Sequence, residues 1–492
     1  MPAIEGWGLL TSSAESRNDK VAITLPEGEP GWTFRDPAGQ LWLTETHALR
    51  RIRPAAVEET RAFLASPLRL SLESSGDLVA SEVLESGPEA PILEGLALRH
   101  PRIDPISYPW EWTVGQWQDA AELTLRVASK AVKAGWILKD ATPLNIVFAG
   151  PRPVLVDVLS FERRDPHSSV WLAYGQFVRT FLLPLLAQKL LNWPLQASIF
   201  SRDGYEPRTL YDALGFWQRL RPDLLDVVTL ATLLEGSSGK PQKARPAQKN
   251  ADPELTAHIL RKRFDRLGKQ IRRAAHTANE TQWSQYEKNA THYGSTDVDL
   301  KQQFVKSALL RTKPARVLDI GANTGTFSQL AAEAGAEVVA LDNDPGAVNA
   351  LWQRAARLKL PVTAMVANIA RPTPAVGWMN REQLSLLERL EGKFDMVLML
   401  AVIHHLILRE QAPLELIAEL AAGLTTRWLV LEWVPPSDPM FQEWLRGRDD
   451  LYGKLSEADL MESFGRWFHV ADRTVLENER VMLLMERNPQ ES

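Results

Sequence analysis

Four short runs in the second half of the chain, residues 316–320, 337–342, 394–400 and 428–432, are apolar at nearly every position. Stretches of helical length separate them, one of them opened by Pro345. A strand that is apolar on both faces needs cover on both sides, and helices crossing between parallel strands provide it. From about residue 311 the pattern therefore dictates an α/β unit with a mostly parallel sheet. Residues 362–367 fit as a further strand. Residues 467–470 and 481–485 read as a closing antiparallel pair, for seven strands in all.

That unit fills only part of a 492-residue chain. The clearest break is 236–253, GSSGKPQKARPAQKNADP, which has too few apolar side chains to build a core and reads as a linker. Beyond it, Leu255, Ile259, Leu260, Phe264, Leu267 and Ile271 recur on one face of a helix. The other face is basic: residues 236–273 hold 11 Lys/Arg against 3 Asp/Glu. Residues 1–95 read as β-rich, with a hairpin from Trp32 to Thr44. Residues 96–235 read as mainly helical, and 145–157 as a small hairpin around Gly150 and Pro151. The expected division is 1–95, 96–235, 236–280 and 281–490.

Cysteine is absent, which excludes disulfides, thiolate metal sites and thiol nucleophiles. The net charge of -5 argues against a chain-wide nucleic-acid surface. No signal-like segment opens the chain. The most apolar stretch, 177–195, is interrupted by Arg179, Lys189 and two prolines, so a cytoplasmic protein without a membrane partner is expected.

Asp319-Ile320-Gly321-Ala322-Asn323-Thr324-Gly325 lies between a strand and a helix. Glycines there allow a tight turn and close backbone approach to a ligand, and the helix start offers unpaired N–H groups. Such a turn also suits a dinucleotide, but G-x-G-x-x-G is missing. Asp342 follows 23 residues after Asp319, at the end of the next strand, where its carboxylate can accept from ribose hydroxyls. Asn343 adjoins it. Asn368 ends the third strand and can pair with an adenine edge. Leu400 and Ala401 close the fourth strand, at the sheet edge where such folds bind ligands, and His404 and His405 follow.

This half resembles a class I S-adenosylmethionine-dependent methyltransferase, with DIGANTG, LDN and FDMVLMLAVIHHL as the matching motifs. The resemblance implies a Rossmann-like fold and S-adenosylmethionine as cofactor. It places Asp319, Gly321, Asn323 and Gly325 around the methionine moiety, Asp342 on the ribose and Asn368, where the family more often has Asp, at the adenine. Methyl transfer to oxygen calls for alignment and usually a base. His404, His405 and Glu432 are the candidates, with Asp438 beside them; the histidines can equally shape the loop. Trp283, Tyr286, His292, Tyr293 and Lys301 stand where the family has a lid helix.

Asp140, Asn145 and Asp157 are spaced like the catalytic loop and metal-binding Asp of small-molecule phosphotransferases, with Pro143 two before the Asn. The resemblance implies an α+β kinase-like N-terminal domain. If ATP and magnesium bind, Asn145 and Asp157 hold the metal; no other metal ligand is expected. Leu138-Lys139 replaces the usual His-Gly, and no phosphate-binding glycine loop or lysine is evident. The whole layout, including Tyr108-Pro109-Trp110-Glu111-Trp112, is similar to bacterial nodulation-related methyltransferases. That aromatic run suits either a sugar platform or packing between lobes. The expected activity is methylation of a small-molecule or glycan acceptor, with the N-terminal half for recognition or regulation. Alternatives are an RNA methyltransferase using 240–273, a bifunctional kinase–methyltransferase, and a non-catalytic ligand sensor.

Overall fold

The computed structural model describes residues 36–84, 96–235, 251–276, 295–445 and 452–489. Trp32–Phe34, most of the linker, and Trp283, Tyr286, His292 and Tyr293 lie outside them.

The N-terminal half opens with an antiparallel sheet in the order β1-β2-β4-β3, built from β1 (Gly39–Leu43), β2 (His47–Ile52), β3 (Glu82–Leu84) and β4 (Leu96–Pro101). The hairpin partner of β1 is β2, after it in the chain. The β-rich expectation for 1–95 needs correction, because the helices Pro54–Leu64 and Pro67–Ser74 follow β2. Each has proline in its first turn, where the missing N–H is no loss, and the second is capped by Ser66.

The helix Val114–Lys133 is the axis of the next layer. Thr113 and Gln116 close a capping box at its start. Its buried Ala120, Ala121, Ala128 and Ala131 leave room for a second helix, Pro253–Ala275, to lie against it. That second helix buries Leu260, Phe264, Leu267 and Ile271 as expected, whereas Leu255 and Ile259 remain exposed. Around this axis run β5 (Trp136–Leu138) with β8 (Phe161–Arg163), and the expected small hairpin of β6 (Ile146–Ala149) and β7 (Arg152–Leu155). The apolar stretch near 177–195 is one bent helical run. Its π-helical turn Val178–Leu182 precedes Pro184, which cannot donate to the ladder. Among the described residues no helix is long and apolar enough to cross a membrane.

The C-terminal half holds β9 (Arg316–Ile320), β10 (Glu337–Asp342), β11 (Val362–Val366), β12 (Phe394–Met399), β13 (Thr425–Trp433), β14 (Phe468–Val475) and β15 (Val481–Arg487). They form one seven-stranded sheet in the order β11-β10-β9-β12-β13-β15-β14. The first five are parallel, and β15 and β14 close it antiparallel. The strand order reverses between β9 and β12, which opens a crevice at their carboxyl ends.

The two halves meet along β11 and the segment after it. Gln116 Nε2 donates to the Ala364 carbonyl at 3.0 Å, and the amide of Leu384 donates to the Tyr108 hydroxyl at 3.1 Å. Glu111, fully buried, pairs with Arg389 and accepts from Thr373 Oγ1 at 2.6 Å. Asp104 is shared by Lys393 at 2.7 Å and Arg316 at 3.3 Å. The Tyr108–Trp112 run thus packs between the halves: Trp110 and Trp112 are buried, and Tyr108 lies against the Arg389 guanidinium.

Candidate functional site

β9 delivers the chain to Gly321 in a left-handed conformation, φ +72°, where a Cβ would lie 2.7 Å from Val402 Cγ2. Both constraints call for glycine. Gly325, φ +85°, starts the helix Thr326–Glu333, and a Cβ there would meet Leu351 Cγ at 2.5 Å. After β12, Ala401 is also left-handed, φ 55°, a conformation costing roughly 1–2 kcal/mol outside glycine.

These turns frame a cavity of about 600 Å³ at the carboxyl ends of the parallel strands. Asp319, Gly321, Asn323, Asp342, Asn343, Asn368, Leu400 and Ala401 all line it, as do His404, His405 and Glu432. Gly325 does not; it packs beneath the turn.

Asp342 accepts from the backbone N–H of Asn323 and of Asp344, each at 2.9 Å, and so joins the first two βα turns. Burial raises its pKa. Asp319 is buried and accepts from Ser328 Oγ at 2.6 Å. Burial foremost, with the Asp342 charge adding to it, pushes Asp319 up to about 6 despite the Ser328 bond. Asn368 Oδ1 accepts from the Ala370 N–H at 2.9 Å, which fixes the turn after β11.

The far wall is a chain of alternating charges. Glu432, with no exposed surface, is 2.5 Å from Lys301 Nζ and 3.3 Å from Arg480 Nη1. Arg480 Nε is 2.8 Å from Asp438, which is itself outside the cavity lining. The rings of His404 and His405 lie 4.2 Å apart. Burial, then His405, Arg480 and Lys301, lowers His404 to about 2. Burial, then Arg409 and Arg480, lowers His405 to about 4. Both imidazoles are neutral at physiological pH.

Ser328, Asp297, Asn478 and Arg480 escaped the sequence reading. Ser328 carries one signal, its place in the first turn of the helix that the glycine turn opens. Asn478 and Arg480 come from the turn between β14 and β15, where polar residues signal only a loop. Asp297 Oδ1 accepts the Glu477 N–H at 2.9 Å, tying that turn to the helix Ser295–Thr312, which also carries Lys301.

Asp140, Asn145 and Asp157 lie together in the N-terminal half, away from the cavity. Asp157 is 2.5 Å from Arg50 Nη1 and accepts from Ser160 Oγ, to which Asn145 Nδ2 donates at 3.1 Å. Burial opposes the Asp157 carboxylate, but the Arg50 charge and these bonds outweigh it and keep its pKa low. Asp140 moves the other way, raised by burial and then by Asp157.

A sheet with this reversal, a glycine turn under an acid, and a second acid closing the next strand define a nucleoside-binding methyl-transfer fold. Residues 318–426 match the family model described as a methyltransferase domain. The chain carries a class I S-adenosylmethionine-dependent methyltransferase domain, and S-adenosylmethionine is its cofactor. Over 485 residues the chain is 27% identical to the nodulation protein NoeA of Rhizobium meliloti (strain 1021), covering 96% of this chain and 100% of that protein. Among solved structures it is similar to magnesium protoporphyrin IX methyltransferase (ChlM) from Synechocystis PCC 6803, at 21% identity, 43% of this chain, 93% of that chain and a TM-score of 0.29. It is also similar to the N-methyltransferase NodS from Bradyrhizobium japonicum WM9, at 15% identity, 40% of this chain, 98% of that chain and a TM-score of 0.30.

Proposed function

We propose that the chain methylates an oxygen of a small-molecule or glycan acceptor, which the N-terminal half recognises without phosphotransfer of its own. The observation that carries the reading is the cavity: one cleft joins the glycine turn, Asp342 and Asn368 to a polar far wall from Lys301, Glu432 and Asn478. Asp342 would take the ribose hydroxyls, Asn368 the adenine, and Asp319 the ammonium of the methionine moiety. The cofactor supplies a methyl group on a positive sulfonium. The protein's part is to align the acceptor with it and exclude water. Asp157 supports a non-catalytic N-terminal half, because Arg50 and Ser160 already engage the carboxylate that a metal would need.

Incubation with methyl-labelled S-adenosylmethionine and a fractionated extract of the native cells tests this. Label is expected in a small or glycan-like, nuclease-resistant pool. Label released by RNase would overturn it in favour of RNA.

The raised Asp319 gives a pH signature with a definite sign. Its ionised form attracts the cofactor's ammonium, and it takes up a proton below about 6. Cofactor affinity by calorimetry should be level above that value and fall below it, towards about tenfold per pH unit. A flat affinity down to pH 5 would remove Asp319 from the ammonium site.

The histidines have the opposite profile. Both are already neutral above pH 5, so turnover should show no inflection near the ordinary histidine pKa. His404→Ala should cost far less than the roughly hundredfold or more that losing a general base costs. A loss of that size, with an inflection near 6.5 in the parent, would make His404 the base.

A further inference from the structure

Phe216 and Trp217 stand out from the helical lobe with 66% and 81% of their surface exposed, and Leu220 is 50% exposed. The two rings pack edge-on, centroids 5.2 Å apart, on the four-residue helix Phe216–Arg219. Scattered apolar residues on a surface need no explanation, but three large ones within five residues make a protruding apolar tip.

The chain passes from Leu220 straight into Arg221, which lines an open basin with Lys189, Arg272, Arg273 and His276. Lys189 comes from the end of the helix Leu183–Leu191, and Arg272 and Arg273 from the last turn of Pro253–Ala275. Two carboxylates face these four Lys/Arg: Asp223 beside Arg221 at 3.0 Å, and Glu122 beside Arg272 at 3.2 Å. Lys189 Nζ donates to the Arg273 carbonyl, which ties the two helices together. The basin keeps a surplus of positive charge beside the apolar tip.

We propose that this face seats the protein on an anionic phospholipid surface. Phe216, Trp217 and Leu220 enter the headgroup layer, and Lys189, Arg272 and Arg273 meet the lipid phosphates. Aromatic rings favour that depth, cations gain from the negative surface potential, and peripheral attachment generally needs both together. A single-stranded nucleic acid would use the cations and one ring face. It has no use for Leu220, and the edge-on ring pair is a wedge, not a stacking platform. The contact is peripheral, since among the described residues no helix can span a bilayer. None of these residues lines the methyltransferase cavity.

Flotation of the full chain with vesicles tests the proposal, using phosphatidylcholine alone or with an equal part of phosphatidylglycerol. Binding is expected only with phosphatidylglycerol and should weaken with salt. Arg272→Gln with Arg273→Gln should lower partitioning about 25-fold, at roughly fivefold per cation near the surface. Phe216→Ser with Trp217→Ser should abolish the part of the binding that survives high salt. Both double variants should keep the parent circular dichroism and S-adenosylmethionine affinity, which separates a lost surface from a lost fold. Failure of the parent chain to float with either vesicle would overturn the proposal. So would equal binding to neutral vesicles, or RNA binding lost in the arginine variant while vesicle binding is unchanged.

Discussion

Replacing Asp342 with alanine should lower S-adenosylmethionine affinity at least about a hundredfold. The carboxylate accepts from Asn323 and Asp344 at 2.9 Å each, so it shapes both turns that line the cavity. As the ribose acceptor it would also take two further bonds. Hydrogen bonds to a charged group contribute about 1.5–3 kcal/mol each, so losing two already exceeds a hundredfold. Asp342→Asn keeps one acceptor oxygen and should fall between parent and alanine. Calorimetry with S-adenosylmethionine reads the effect, and circular dichroism confirms that the sheet remains. Parent-like affinity in the alanine variant would remove Asp342 from the ribose site.

The second large effect is expected at the junction of the halves. Glu111 and Arg389 are both buried and pair with each other, and Thr373 Oγ1 donates to the same carboxylate. Glu111→Ala leaves the Arg389 charge buried among groups that cannot neutralise it, at a cost of about 3–5 kcal/mol. For a unit of this size that is a fall of roughly 10 °C in melting temperature. Removing both partners, Glu111→Ala with Arg389→Ala, should recover part of the loss, because no lone charge then remains. A single variant that melts like the parent would mean that the pair holds nothing together.

The contrast between these two residues shows what a sequence exposes. Asp342 was legible because apolar strands announce where they end, and the first polar residue after such a run falls at the ligand edge. The same logic placed Asn368 at that edge, whereas Asp319 was singled out by the glycine turn that follows it. Arg480 was invisible because its chemistry depends on Glu432 and Asp438, more than forty residues earlier in the chain and joined only by the β13–β15 pairing. Glu111 sat in a run whose aromatic richness suits a sugar platform as well as an interface. Only its distant partner Arg389 decides between them. The helices at 54–74 were missed because flanking β signals dominate that region, while their own support is tertiary burial of Phe63, Leu68 and Leu72.

The two rims of the large sheet are protected by different means. β14 shields itself: it is irregular between Val470 and Asp472 and carries His469, Asp472 and Arg473 along an exposed strand. β11, Val362-Thr363-Ala364-Met365-Val366, has no charge and no irregularity in its pairing. Its outer side is guarded by Gln116, whose amide occupies the Ala364 carbonyl. Residues 295–489 taken without the N-terminal half and the helix Pro253–Ala275 would therefore present a smooth, uncharged strand rim, which is a template for pairing with another copy. Such a fragment is expected to self-associate through β11, and an engineer wanting it alone would first have to place a lysine or a proline on that strand.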